Sequence, residues 1–319
     1  MLNKPVILVN PPPLWTLETS GMLALEKAGY SLWRNETGVT LDREELLRRI
    51  PQAVAAIGGL EPYDAGVLAA APDLKAIARF GVGFDNVDLD AAKSAGIEVT
   101  ISPGANTQSV ADVVLALMTN LCCGILSNHA TVVAGSWQKT KFPGLFGRTL
   151  GIIGFGRIGQ AVAQRAQAFG MTVISYDPYN NEVPTASTFE EIITKADVVT
   201  LHVPATDKPI LDANALAQMK QGAMVINAAR GGLIDEDALA KLLETGHLGG
   251  AGLDVFKTEP LPESPLRQAP NVILTPHIAG VSSSATVMMA DMCADSILCL
   301  ARGSALPEDR IIVGRPSVV

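Results

Sequence analysis

Only four histidines occur in the chain, and one of them, His277, stands in "LTPHIAG", directly after the apolar run "NVIL" and directly before small residues. Upstream, "VINAARGG" supplies Arg230, and "GLDVFKTEPLP" supplies Asp254 and Glu259, each behind a run that reads as a strand. Taken singly, each has a bland reading: a packed structural imidazole, a surface cation, a turn cap, a solvated loop acid. Taken together they suit reduction of a carbonyl by hydride. Arginine can hold a carboxylate bidentately and polarise the neighbouring carbonyl, which lysine does less well. A protonated histidine can give its proton to the oxygen as hydride reaches carbon, and the neutral ring serves the reverse reaction as base. An acid such as Glu259 beside it would orient the ring and balance its charge. Small neighbours leave His277 room to face a substrate.

A hydride needs a carrier, and "LGIIGFGRIGQAVAQRAQAFGMTVISYDP" has the pattern for one: G-x-G-x-x-G as Gly154, Gly156 and Gly159. The motif alone is weak in a chain with 29 glycines. Its context makes it specific, because an apolar strand precedes it, an amphipathic helix follows, and a second strand ends in Asp177, 18 residues beyond Gly159. Gly154 permits the tight turn, Gly156 lets backbone approach a pyrophosphate, Gly159 lets the helix pack on the strand, and the helix N-terminus attracts the anion. Asp177 can accept hydrogen bonds from ribose hydroxyls but would repel a 2′-phosphate, and no arginine follows it in "YDPYNNE". The expected cofactor is therefore NAD, in preference to NADP.

These residues need strands that end on one edge. Short β-rich runs alternate with helical patterns throughout: "VILVN", "VAAIGG", "LKAIARFG" and "IEVTIS", then "LGIIGFG", "TVISYD", "DVVTLHVP", "AMVINAAR", "AGLDVF" and "VILTP". Between them, "LDREELLRRI", "DLDAAKSAG" and "DEDALAKLLETG" have helical spacing. The alternation predicts an α/β fold with two doubly wound parallel sheets. A break at Pro103 and Gly104 precedes a long helix, and a helix from the serines at 282–284 to Gly303 follows the second series. A discontinuous substrate domain of residues 1–102 and 284–319 is expected, interrupted by a Rossmann-type NAD domain of residues 103–283.

With 319 residues, 48% of them apolar, the chain can bury two cores. A net charge of -8 without a basic block argues against nucleic acid or anionic membrane as a partner. "VVLALMTNLCCGIL" is too short and polar for a membrane span, and the N-terminal apolar run is too short for a signal peptide. The four cysteines form no CxxC and no secreted-type framework, so a cytoplasmic setting is expected. Cys122, Cys123 and His129 make a weak metal set, because buried thiols ordinarily act as small hydrophobes, and no metal is expected.

The set "RFGVGFDNVDLDAA", "NTQSVAD", "GIIGFGRIGQ", "YDP", "INAARGGLIDEDAL", "AGLDVFKTEPLP" and "TPHIAG" resembles the D-isomer-specific 2-hydroxyacid dehydrogenases over nearly the whole chain. The resemblance implies catalytic roles for Arg230, Glu259 and His277. It implies cofactor contacts at Val82, Gly154, Gly156, Arg157, Ile158, Gly159, Asp177, Val203, Pro204, Ala228, Arg230, Asp254, His277 and Gly280. The substrate carboxylate would lie against Gly58, Gly59, Gly81, Val82, Gly83 and Arg230. It further implies a cleft that closes on substrate and a homodimer through the cofactor domain, built from the long helix after residue 106 and the arm "GSWQKTKFPGLF", from which Trp137 could approach a partner.

The pattern is nearest to the 3-phosphoglycerate dehydrogenases, with hydroxypyruvate and glyoxylate as the other expected substrates. Two departures stand out: Asp112 occupies a position usually held by Glu, and "IGGLEP" lacks an arginine often found there, leaving Arg79 and Lys139 as candidate phosphate cations. Formate dehydrogenases share the fold but typically carry Gln at the position of Glu259, and phosphite oxidation uses the same three groups. The C-terminal-binding corepressors also look similar, and an NAD-dependent binding protein of that kind is the alternative to an enzyme.

Overall fold

The computed structural model describes residues 4–177, 179–180 and 187–314. Pro178, Asn181 and Glu182 of "YDPYNNE" and the last five residues of the chain lie outside them. Two compact units are present: one runs to Asn106 and resumes at Gly280, and the other is Thr107–Ala279.

The first unit contains strands β1 (Val6–Val9), β2 (Ser31–Arg34), β3 (Ala53–Gly58), β4 (Ala76–Arg79) and β5 (Glu98–Thr100), together with the last strand of the chain, β12 (Ile311–Val313). They form one sheet in the order β12-β5-β4-β3-β1-β2. All neighbours are parallel except β12, which runs antiparallel to β5. The strands are apolar on both faces because helices cover both. Ile7, Val9, Ile57 and Ala78 pack on one side with Ala290, Ala294 and Ile297 of the helix Ser283–Arg302, while Leu8, Ala56, Ile77 and Val99 pack on the other with Leu46 and Val67. The helix Ser283–Arg302 is long and apolar enough to span a membrane by length and composition, yet more than half of that stretch is buried in the core. Ser282 caps it by accepting from the Ala285 amide, and Gly303 ends it in the left-handed conformation (φ +68).

Sequence patterning missed β2 and β12. Both are edge strands: "SLWR" is only half-buried throughout, and "IIV" is three residues long and paired on one side. Neither carries the continuous apolar run that marks a strand buried on both faces.

The second unit holds β6 (Thr149–Ile153), β7 (Thr172–Tyr176), β8 (Val198–Leu201), β9 (Ala223–Asn227), β10 (Leu248–Leu253) and β11 (Val272–Leu274), in the order β11-β10-β9-β8-β6-β7. Every pairing is parallel. The central strands β8 and β9 are buried at every residue. The helices Thr107–Cys123 and Arg157–Ala168 share one face of the sheet. On the other lie Phe189–Lys195, Ala213–Gln218 and Glu236–Glu244, capped by Thr188, Asp212 and Asp235.

Asp112 accepts a hydrogen bond from Arg165 Nε at 2.9 Å, and Gln108 accepts from the same guanidinium at 2.7 Å. The shorter acid thus links the two helices of that face. Its side chain is 68% exposed, so the pair contributes at most about 1 kcal/mol.

Helix Arg157–Ala168 leans on the turn before it. A Cβ at Gly159 would collide with the carbonyl oxygen of Gly154, a backbone atom that cannot rotate away, whereas a Cβ at Gly156 would meet nothing within 4 Å. Gly159→Ala is expected to destabilise this unit by about 2 kcal/mol or more, and Gly156→Ala by less than about 1 kcal/mol. Urea midpoints at constant slope measure both, and equal losses would show that the helix does not need this close approach.

Candidate active site

In the second unit the strand order reverses between β6 and β8, the point at which a doubly wound sheet leaves a crevice beyond its carboxyl ends. Gly154 turns there with φ +92, and a Cβ on it would run into the backbone of His202 and the side chain of Val203. The cradle is shaped for backbone alone. Gly156 is open and caps the helix that follows, and a helix N-terminus of this kind suits a pyrophosphate. At the end of β7, Asp177 Oδ2 accepts from the Phe155 amide at 2.8 Å and Oδ1 from the Tyr179 amide at 2.9 Å. The acid expected to read the ribose therefore sits against the glycine loop. These features fit a dinucleotide.

The other expected residues follow the neighbouring strands: Val203 and Pro204 after β8, Ala228 and Arg230 after β9, Asp254 after β10, His277 after β11. Arg157 opens the helix, and Ile158 packs against the core beneath it. Val82, Gly280, Gly58, Gly59, Gly81 and Gly83 belong to the other unit.

Asp254 is fully buried, and its carboxylate is turned onto the segment that carries the histidine. Oδ1 accepts from Thr275 Oγ1 at 2.5 Å and from the Ile278 amide at 2.8 Å, Oδ2 accepts from the Ala279 amide at 2.8 Å, and the Asp254 carbonyl accepts from the His277 amide at 2.9 Å. These donors satisfy the buried carboxyl group. It also holds His277 at φ +56, in the left-handed region that residues other than glycine uncommonly occupy.

His277 Nδ1 lies 2.8 Å from Glu259 Oε2. Because an ionised carboxylate only accepts, Nδ1 carries the hydrogen and Nε2 is the atom left for chemistry. The two side chains are 31% and 30% exposed, so the pair is neither sealed in the core nor fully screened. Burial pushes the Glu259 carboxyl up, but the His277 hydrogen bond and charge, the Phe256 amide and the Arg230 charge together hold it below its ordinary value. His277 and Glu259 are thus paired, and the charge of Arg230 bears on Glu259. Glu259 Oε1 accepts from the Phe256 amide at 3.0 Å, and Glu236 accepts from the Lys257 amide at 2.6 Å, so the turn carrying Glu259 is held from two sides.

Two supporting residues escaped sequence reading. Asn227, 1% exposed, donates to the Arg230 carbonyl at 2.8 Å and accepts from the Ala229 amide at 3.0 Å, folding the chain after β9 so that Arg230 emerges. An Asn at a strand end before small residues is a turn signal that could have found it. Thr275 reads as an ordinary strand residue, and only its contact with Asp254 reveals its part. One expectation needs correction: Arg79, a candidate phosphate cation, is 4% exposed, with Nε donating to the Gly83 carbonyl at 3.0 Å and Nη1 to the Gly59 carbonyl. It is an internal brace.

A Rossmann-type sheet with an Arg, Glu and His gathered at its carboxyl edge defines a dinucleotide-dependent class of protein. Within that class the chain belongs to the D-isomer-specific 2-hydroxyacid dehydrogenase family: residues 115–279 match the model described as "D-isomer specific 2-hydroxyacid dehydrogenase, NAD binding domain". It is 41% identical over 278 residues to a D-3-phosphoglycerate dehydrogenase of Mycobacterium leprae, covering 84% of this chain and 53% of that protein. The chain spans about half the length of the phosphoglycerate dehydrogenases it matches. A glyoxylate reductase of Korarchaeum cryptofilum is 36% identical over 87% of this chain and 88% of its own length. Among solved structures, the NAD complex of an NAD-dependent formate dehydrogenase from Staphylococcus aureus superposes with a TM-score of 0.87, at 28% identity, over 98% of this chain and 100% of that one.

The backbone at His277 separates folding from chemistry. His277→Ala and His277→Gly both remove the imidazole, but only glycine relaxes at φ +56, so the glycine variant should be the more stable by about 1 kcal/mol. Denaturant unfolding of the two variants measures this, and a more stable alanine variant would show that the left-handed turn stores no strain.

Proposed function

We propose that the protein interconverts a D-2-hydroxy acid and its 2-keto acid with NAD as the hydride carrier, His277 as acid and base, and Arg230 as the holder of the carboxylate. The observation that carries this reading is the 2.8 Å pairing of His277 with Glu259, under the charge of Arg230, at the edge of a sheet in an NAD-binding domain. Bound NADH would supply the hydride to the carbonyl carbon. Protonated His277 gives its Nε2 proton to the carbonyl oxygen, and the neutral ring keeps Nδ1–H on Glu259. In the oxidative direction neutral Nε2 takes the hydroxyl proton, and Glu259 balances the imidazolium. Arg230 neutralises the substrate carboxylate and draws electron density from the adjacent carbonyl.

In this reading Asp177 serves the ribose, the amides after Gly154 and Gly156 serve the pyrophosphate, and Arg157, Ile158, Val203, Pro204, Ala228, Asp254, Val82 and Gly280 complete the cofactor's surroundings. The backbone at Gly58, Gly59, Gly81, Val82 and Gly83 is assigned to the carboxylate's surroundings on the family resemblance. The names of the relatives point to phosphoglycerate and glyoxylate as substrate types, and hydroxypyruvate joins them on sequence pattern. Four free thiols suit a reducing cytoplasm.

The surface of the second unit supports a homodimer. The helix Ile125–Val133 has no buried residue, and Val133, Trp137 and Phe146 are 73%, 83% and 88% exposed, an apolar surface that a second copy would cover.

The test is NADH oxidation with glyoxylate, hydroxypyruvate, phosphohydroxypyruvate, pyruvate and bulkier 2-keto acids, repeated with NADPH. One or more acids should be reduced, with NADH preferred because Asp177 repels the extra phosphate. Tight NADH binding without turnover of any acid would instead favour a binding protein. His277→Ala should lower turnover by about 10²-fold or more while leaving NADH affinity nearly unchanged. Retained turnover removes His277 from the mechanism.

A further inference from the structure

Within the second unit, the loop that carries Arg230 and the turn that carries Glu259 meet at two points. The first is Gly231. A Cβ on it would overlap the Phe256 carbonyl and the Lys257 nitrogen, so the residue after Arg230 lies directly against the peptide group that leads to Glu259. The second is Glu236, the first residue of the helix Glu236–Glu244, whose Oε1 accepts from the Lys257 amide at 2.6 Å. The chain between these points is stiff. Asn227 closes the turn at Arg230, the amides of Ile210 and Leu211 donate to the Leu233 carbonyl at 2.9 and 3.0 Å, and Asp235 accepts from the Ala238 amide at 3.0 Å. Leu233 and Phe256 share one buried core. Such a loop transmits a shift at one end to the other.

The helix itself does not need a glutamate at this position. Asp235 already caps it, and Asp237 puts a second acid in the same turn. Glu236 is nevertheless half-buried and turned onto another segment. Burial pushes its carboxyl above the ordinary value; the Lys257 amide opposes this, and the charges of Asp237 and Glu259 push it further up. An acid drawn out of water toward the charge of another acid is poorly placed for stability alone. What it gains is the hydrogen bond to Lys257, and that bond joins the two segments that carry different parts of the site.

We infer that Glu236 is a positioning residue for hydride transfer: by holding the Lys257 amide it fixes the His277–Glu259 pair relative to Arg230. The inference rests on the reading of the protein as a 2-keto acid reductase. Arg230 holds the carboxylate of the acid, and His277 Nε2 must meet the oxygen of the adjacent carbonyl, so the two side chains must keep a set separation. A misplacement of about 1 Å can cost about 10²-fold in rate. Glu236 acts through a backbone amide and needs no contact with substrate or cofactor.

With NADH and whichever of glyoxylate and hydroxypyruvate is reduced faster, Glu236→Ala should lower kcat by about 10-fold while the KM changes by less than about 3-fold. Glu236→Gln keeps an acceptor at the same reach and should recover kcat to within about 3-fold of the wild type. Glu236→Asp, one methylene shorter, should not recover it. Asp237→Ala removes an equal charge from the same end of the helix and should leave kcat within about 2-fold. The contact itself is read by hydrogen exchange: Lys257 is exposed, so its amide should exchange about 10-fold faster in Glu236→Ala than in the wild type. Exchange that does not change overturns the inference whether or not any acid is turned over. Unchanged kcat in Glu236→Ala, a Glu236→Gln as slow as Glu236→Ala, or an equally slow Asp237→Ala each overturns it while leaving the reductase reading intact. Where Glu236→Ala does not fold, Glu236→Asp carries the same comparisons. No turnover of either acid by the wild type, nor of any other 2-keto acid in the panel, overturns the reductase reading and this inference with it.

Discussion

The buried carboxylate of Asp254 is the contact on which the site depends. It lies at the end of β10 with no exposure, and it collects the Thr275 hydroxyl and the amides of Ile278 and Ala279 from the segment that follows β11. An uncompensated charge in that position would cost several kcal/mol. The donors that compensate it are those of the "TPHIA" turn, so burying Asp254 and shaping the turn are one event. The turn then presents an imidazole where a β-strand would otherwise continue. Once His277 is held there, its Nδ1 meets Glu259, and the ring has one nitrogen to offer.

The order of strands in the second unit makes that turn useful. A parallel sheet directs all its carboxyl ends to one edge, so Asp177, Arg230, Asp254 and His277, distant in sequence, emerge on the same side without any local motif joining them. The glycine turn after β6 is on that edge too, and its two crowded glycines explain why the approach belongs to backbone alone. Shape comes from glycine, charge from the strand ends. Asn227 and Glu236 contribute to neither directly; they hold the turns on which Arg230 and Glu259 ride.

What was legible in sequence follows the same division. The glycine fingerprint, the strand-end Arg, Glu and His, and all six strands of the second unit could be read from apolar runs and punctuation, because buried parallel strands leave continuous hydrophobic stretches. Edge strands do not, and β2 and β12 were invisible for that reason. Asp254 could be noticed as polar at a strand end, but its partners could not, since Thr275, Ile278 and Ala279 contribute a hydroxyl and two amides that no residue type advertises. Arg79 misled in the opposite sense. An arginine after a strand reads as a cation on offer, and only the Gly59 and Gly83 carbonyls reveal that its donors serve the fold.

Arg79 and Arg230 therefore show how one residue type divides between architecture and chemistry. Arg79 ends a buried strand, Arg230 follows one, and both have carbonyl partners. Arg79 is almost wholly enclosed and cross-links two loops through the Gly59 and Gly83 carbonyls. Arg230 is only half-buried; one of its donors reaches the adjacent Ala229 carbonyl, and its charge bears on Glu259. A cation recognises a substrate anion strongly only where water is partly excluded and its donors are not already spent on the backbone. By that criterion Arg79, enclosed and tied to two carbonyls, serves the fold.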